Sequence, residues 1–135
     1  MPVSLDKPVS FVVVGPAATK GSVVAIATKT GAIVKPDNRR LGVWSQACGW
    51  AARLAKLPCA PRGVGVHVEA VYELVPPIKR RPSPCVRPDL DKLARALLDA
   101  LIGVAFVDDQ QVVSLTVRKV YGAAPLTRVT ITRER

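Results

Sequence analysis

The sequence is poor in the residues that chemistry most often recruits. It has one histidine, His67, and three cysteines, Cys48, Cys59 and Cys85, with no C-x-x-C among them. A structural zinc site takes about four Cys or His ligands at close spacing, so a zinc finger is excluded. Three widely spaced thiols also argue against a disulfide scaffold. The expectation is reduced, partly buried thiols, and a structural His67 inside a strand pattern. Aromatics make up only 4%. No apolar run approaches the roughly 20 residues that span a bilayer, and the opening MPVSLDKPVS has no basic segment leading into an apolar one. The expected location is the cytoplasm. Acids are scarce too: 10 Asp plus Glu stand against 20 Lys plus Arg in 135 residues, a net charge of +10. With 49% of residues hydrophobic, a disordered basic tail is excluded. One domain over residues 1–135 is expected at this length.

The charge is unevenly spread. Residues 15–56 carry +6, residues 76–88 (PPIKRRPSPCVRP) carry +4 and residues 110–135 carry +4. Residues 89–109 run the other way at −3 and hold half of all the acids. Basic surface attracts phosphates, and a concentrated acidic locus can hold a metal that phosphates also bind. A solvated basic surface with an ordinary acidic helix explains the same pattern, and charge alone does not choose between them.

Periodicity gives the elements. Ser10–Val14 reads as a short buried strand, and Val23–Thr28 and Ala32–Lys35 as a hairpin about Lys29-Thr30-Gly31. Asn38–Leu57 turns helical, with Leu41, Trp44, Cys48, Ala51 and Ala55 on one stripe and Asp37 or Asn38 as the N-cap. Trp44 is expected to anchor the core; Trp50 suits either the core or base stacking. Val64–Val75 alternates as a half-buried strand with His67, Glu69 and Glu73 on its outer face. A Pro-rich basic loop over 76–88 follows. Asp91–Ile102 is the clearest helix, with Leu93, Leu97, Leu101 and Val104 as its stripe and Gly103 as its stop. Gln111–Tyr121 and Leu126–Thr132 read as strands. The order β-ββ-α-β-α-β-β has too few alternating units for a doubly wound sheet. It predicts an α+β fold: a mixed sheet with two main helices.

The acidic locus contains two signals. Asp89-Leu90-Asp91 stands where the loop meets the second helix. In an extended segment residues i and i+2 share a side, so Asp89 and Asp91 can converge. An N-cap and a dipole-complementing acid explain the pair equally well. Asp108-Asp109 opens the next strand, where Asp is also an ordinary turn residue. Asp91, Arg95 and Asp99 recur at i, i+4, i+8 on one helix face. That pattern is either an intrahelical ion pair worth about 0.3–0.5 kcal/mol or a carboxylate site with Arg95 facing a phosphate and Lys92 beside it. Gathered carboxylates repel and raise one another's pKa; a hard cation relieves this, and Mg²⁺ suits oxygen ligands.

The stretch V-R-P-D-L-D-K-L-A-R-A-L-L-D-A-L-I-G-V-A-F-V-D-D-Q-Q-V-V, residues 86–113, resembles the core of RusA-type Holliday junction resolvases. The family shows D-L-D-N-L, a basic residue four after the second Asp, a D-A-L, then D-D-x-Q-V-V leading into a strand that ends in Lys, here Lys119. V-G-P-A-A-T-K-G-S, residues 14–22, is similar to its N-terminal strand and K-G turn. The resemblance implies a homodimer that binds four-way DNA junctions and nicks them symmetrically in recombination and repair. It implies three acids, Asp89, Asp91 and Asp109, coordinating Mg²⁺ or Mn²⁺. Arg95 stands where the family has a catalytic Lys, and Lys92 where it has Asn; Arg95 keeps the charge but cannot exchange a proton. Phosphate contacts are then expected from Lys79, Arg80, Arg81 and Arg87, and more widely from Lys20, Arg39, Arg40 and Lys119. The alternatives are a non-catalytic binder of branched DNA and a less selective metal-dependent nuclease. A bacterial host, phage-encoded or not, suits the family.

Overall fold

The computed structural model describes residues 5–20, 23–28, 31–36, 40–79 and 81–134, with 23–28 and 31–36 described by their backbone. The strands are β1 (Val9–Val14), β2 (Val23–Thr28), β3 (Gly31–Pro36), β4 (Val66–Leu74), β5 (Val112–Tyr121) and β6 (Leu126–Arg133); the helices are α1 (Leu41–Leu54) and α2 (Leu90–Leu101). Four strands form one sheet in the order β1-β6-β4-β5, and β2 pairs with β3 as a separate hairpin. β1 and β4 run antiparallel to β6, while β4 and β5 are parallel. The α+β expectation and the element order hold.

Alternation decides which sheet face is dry. In β4, Val66, Val68, Ala70 and Tyr72 are fully buried, while His67, Glu69, Val71 and Glu73 look the other way. Both helices close the dry face, and Phe11, Trp44, Cys48, Leu93, Leu97, Phe106 and Ile131 join one core there. The stripe of α2 behaves as its spacing predicts: Leu93, Leu97 and Leu101 are fully buried, each contributing about 1.5–3 kcal/mol. The opposite face stays open. There His67 Nδ1 and Ser114 Oγ lie 2.7 Å apart across β4 and β5, and Arg128 donates to Glu73 at 3.0 Å. His67 is thus hydrogen-bonded within the sheet.

Four expectations need correction. β1 is half-buried: Val12 and Val14 are exposed because one face of the sheet is uncovered. α1 starts at Leu41 with Arg40 at its N-cap and no side-chain cap hydrogen bond; Asp37, Asn38 and Arg39 lie outside the described residues, as do Lys29 and Thr30 of the hairpin turn. Its end is set by Lys56 at φ 59, with Leu57 N–H donating to Ala52 O and Lys56 N–H to Arg53 O, a C-cap that usually takes glycine. Of the thiols only Cys48 is buried; Cys59 and Cys85 are exposed and all three are free. Finally, Asp89-Leu90-Asp91 is not an extended run. Leu90 already belongs to α2, so Asp89 is the extended N-cap residue and Asp91 sits in the first helical turn.

Candidate active site

The site is carried by one crossover. β4 ends at Leu74, the basic loop leads to α2, and α2 returns the chain to β5, which lies parallel to β4. This arrangement places Asp89 and Asp91 at the start of α2 and Asp109 beyond its end.

Asp89 occupies the N-cap but its carboxylate caps nothing. Among the described residues its one ion pair is a loose contact with Lys92, Oδ2 to Nζ 3.6 Å. Asp91 forms no hydrogen bond or ion pair among the described residues, so the cap explanation leaves both carboxylates uncommitted. The Asp91–Arg95–Asp99 face forms no intrahelical ion pair either. Asp99 instead binds Lys20 Nζ, from the segment after β1. The Lys20 backbone N–H also donates to Lys92 O at 3.1 Å, so this segment lies along α2.

Asp108 and Asp109 have divided roles. Asp108 Oδ1 accepts the Gln110 N–H at 3.1 Å and Oδ2 accepts its side-chain amide at 2.9 Å. These bonds, the backbone one first, hold the Asp108 carboxyl below the ordinary carboxylate range. Gln111, which the sequence reading passed over, completes a reciprocal cap. Its Oε1 accepts from Val107 N and Asp108 N at 2.9 and 3.0 Å. Its Nε2 reaches the carbonyls of Ala60, Pro61 and Val64 at 3.2, 2.9 and 3.0 Å. A buried glutamine with both ends satisfied thus ties the 57–65 loop to the Asp108–Asp109 turn. Asp108 serves the turn; Asp109 is left exposed beside it.

Lys20, Arg95, Leu98, Asp99 and Asp109 line one open cleft of about 310 Å³. Arg95 and Asp109 face the same space without forming an ion pair with each other. The cleft therefore holds a guanidinium and a carboxylate that are not paired with each other. Arg95 presents donors suited to a phosphate.

The structure does not gather Asp89, Asp91 and Asp109 into one metal-binding group: no three His, Cys, Asp or Glu among the described residues are placed to hold a metal ion. Asp91 stands one turn, about 6 Å, before Arg95 at 1.5 Å per residue, and Asp109 lines the cleft with Arg95 and Asp99. The donors themselves are hard, exposed oxygens, the right chemistry for Mg²⁺; the assembled triad is what is missing.

The basic residues separate as well. Lys79, Arg81 and Arg87 are exposed on the loop, and Arg87 and Arg40 line a second cleft of about 430 Å³ with Thr19 and Pro88. Arg39 and Arg80 lie outside the described residues. Lys119 is turned inward: its Nζ donates to Val86 O at 2.7 Å and Pro88 O at 3.0 Å. Its visible role is to hold the loop. Trp50 is 63% exposed, with the Arg53 guanidinium 5.9 Å from its ring centre, whereas Trp44 is a core residue.

No helix among the described residues is long and apolar enough to cross a membrane. A search of curated proteins gave no match. The family model described as Endodeoxyribonuclease RusA matches residues 18–132 of the 135, a span that takes in Lys20, the basic loop, α2 and the Asp108–Asp109 turn. The chain belongs to the endodeoxyribonuclease RusA family, hydrolases that resolve Holliday junctions.

Proposed function

We propose that this chain acts as a homodimer on four-way DNA junctions and cuts them by paired symmetric nicks in the presence of Mg²⁺. The single observation that carries this reading is the cleft shared by Arg95 and Asp109, with exposed basic side chains on the neighbouring loop. Nucleases of this family depend on a divalent metal, which when bound would activate water and offset phosphate charge. Asp89, Asp91 and Asp109 are the carboxylates proposed for it; because the structure leaves them ungathered, no step is derived through the ion.

The chain's own groups have separable tasks. Arg95, fixed by the buried stripe of α2, would donate to the scissile phosphate and stabilise the charge that develops on it. Lys92, at the first turn, would add charge beside Asp89. Lys79, Arg80, Arg81 and Arg87 would grip the backbone near the cut, with Arg39 and Arg40 as further candidates for phosphate contact, while Lys20 lines the cleft itself. Such contacts position DNA without reading sequence, so junction selectivity would come from shape and dimer geometry.

The test is cleavage mapping on a mobile synthetic junction with Mg²⁺ and with chelator, beside the Asp91→Asn variant. Symmetric nicks are expected from the wild type. The variant should bind the junction and lose activity by at least about 100-fold, the scale of one lost transition-state interaction. Full activity in Asp91→Asn would sink the assignment; a gel shift without nicks in the wild type would favour a non-catalytic binder; equal cutting of linear duplex would favour a less selective nuclease.

A further inference from the structure

We infer that Lys20 is a second catalytic cation of the cutting cleft and that Asp99 is the residue that positions it. The inference rests on the nuclease reading above and adds to it a residue and its holder.

Three observations place Lys20 there. Its backbone N–H is fixed to α2 through Lys92 O at 3.1 Å. Its ammonium is held by the Asp99 carboxylate, from the same helix. And Lys20, Arg95, Asp99 and Asp109 line one cleft. Lys20 enters from the segment after β1, so this cleft is assembled from distant parts of the chain, with Lys20 and Asp99 separated by 79 positions.

The charges then have a clear logic. Asp109 alone would repel a phosphodiester. Arg95 forms no ion pair with it, and an ammonium carries three donors, of which one carboxylate contact leaves others free. The Lys20 and Asp99 side chains are 51% and 34% exposed, so the pair is open to a ligand entering the cleft. In hydrolysis a water oxygen bonds to phosphorus, one bridging P–O bond breaks, and the departing oxygen ends with a proton drawn from water. Negative charge builds on the phosphoryl oxygens in between. Lys20 and Arg95 would meet that charge from two sides as fixed cations, with no proton moved by either. Asp99 would keep the flexible lysine stem aimed into the cleft, lowering the cost of ordering it.

A bare latch pinning the segment to α2 makes different predictions. The half-exposed pair adds little to stability, so variants should fold. The measurements are single-turnover cleavage of a synthetic junction at saturating protein with Mg²⁺, junction affinity by gel shift, and Tm. Lys20→Ala should lose cleavage by about 100-fold with affinity and Tm nearly unchanged, and Lys20→Arg should recover part of the rate. Asp99→Asn should lose about 10-fold at equal affinity, the scale of mispositioning rather than removal. Lys20→Ala added to Asp99→Asn should be no slower than Lys20→Ala alone. A Lys20→Ala rate near wild type overturns the inference, as does a deficit that saturating protein abolishes. Should Lys20→Ala not fold, Asp99→Asn decides, and a wild-type rate there overturns it. Wild-type and Asp91→Asn controls keep the failures apart: an inactive wild type refutes the nuclease reading, whereas expected controls with active Lys20→Ala refute only the role of Lys20.

Discussion

Lys119 on β5 donates to the carbonyl oxygen of Pro88 at 3.0 Å, immediately before Asp89 in sequence. Together with its 2.7 Å bond to Val86 O, this makes one strand lysine the support on which the end of the basic loop rests.

Lys119→Met is therefore expected to destabilise the fold by about 1–3 kcal/mol, the cost of leaving partly buried groups without a charged partner. It should raise amide exchange in residues 81–89. A phosphate-contacting lysine would instead lower the salt slope of junction binding by about one on removal. Urea unfolding and binding titrations across salt concentrations check both: an unchanged slope with lower stability is the expected pair of results.

Gln111 offers a sharper structural test. Gln111→Leu fills similar space but strips partners from three carbonyls and two N–H groups. The expected cost is about 3 kcal/mol or more. Gln111→Glu should not rescue it, because a carboxylate cannot donate to the carbonyls of Ala60, Pro61 and Val64. Denaturant midpoints of the two variants provide the comparison.

The pH dependence of the same turn has a definite sign. The folded Asp108 carboxyl titrates below its ordinary value because Gln110 donates to its charged form. Its contribution is thus present above the unfolded pKa of about 3.9 and is lost as pH falls through the folded value. Asp108→Asn keeps an acceptor but does not titrate. Tm measured from neutral to strongly acidic pH should show the wild type losing more stability than the variant once the pH drops below the ordinary carboxylate range.

Thiol chemistry reports on the core. Cys48 is fully buried, and burial pushes its pKa up to about 12. Cys59 and Cys85 are exposed. A disulfide reagent at mildly alkaline pH should label these two in the native protein and the third only on unfolding. Rapid labelling of all three without denaturant would contradict the packing of α1 on the sheet.

Much of this fold was legible because burial is periodic. The stripe of α2 and the alternation of β4 announced themselves, since each element faces water on one side. The limits of α1 were less so, because its start depends on geometry around Arg40 and its end on an unusual left-handed lysine rather than on a glycine or a side-chain cap. At the site, the family resemblance implied Asp89, Asp91, Lys92, Arg95 and Asp109 as a set, and of these Arg95 and Asp109 line one cleft. Spacing along a chain cannot say which side chains a carboxylate beyond a helix will face; the parallel return to β5 decides that. Nor could it reveal that Asp99 pairs with Lys20 rather than Arg95, or that Gln111 and Lys119 spend their donors on backbone carbonyls. Those partners are long-range in sequence. A glutamine in the D-D-x-Q run, just ahead of an apolar strand, was the available hint.

The sheet order has a consequence for how such a protein is made. β6, the last strand in sequence, lies between β1 and β4 and hydrogen-bonds to both. Until Leu126–Arg133 has been synthesised, no strand pairing joins β1 to β4 and the crossover that carries Arg95 and Asp109. These are late, non-local pairings, the slow kind. A ribosome-bound or prematurely ended chain would carry every charged group of the cleft without the strand that links β1 to β4. The four-stranded sheet on which the crossover is built is thus complete only once Leu126–Arg133 has paired with both β1 and β4.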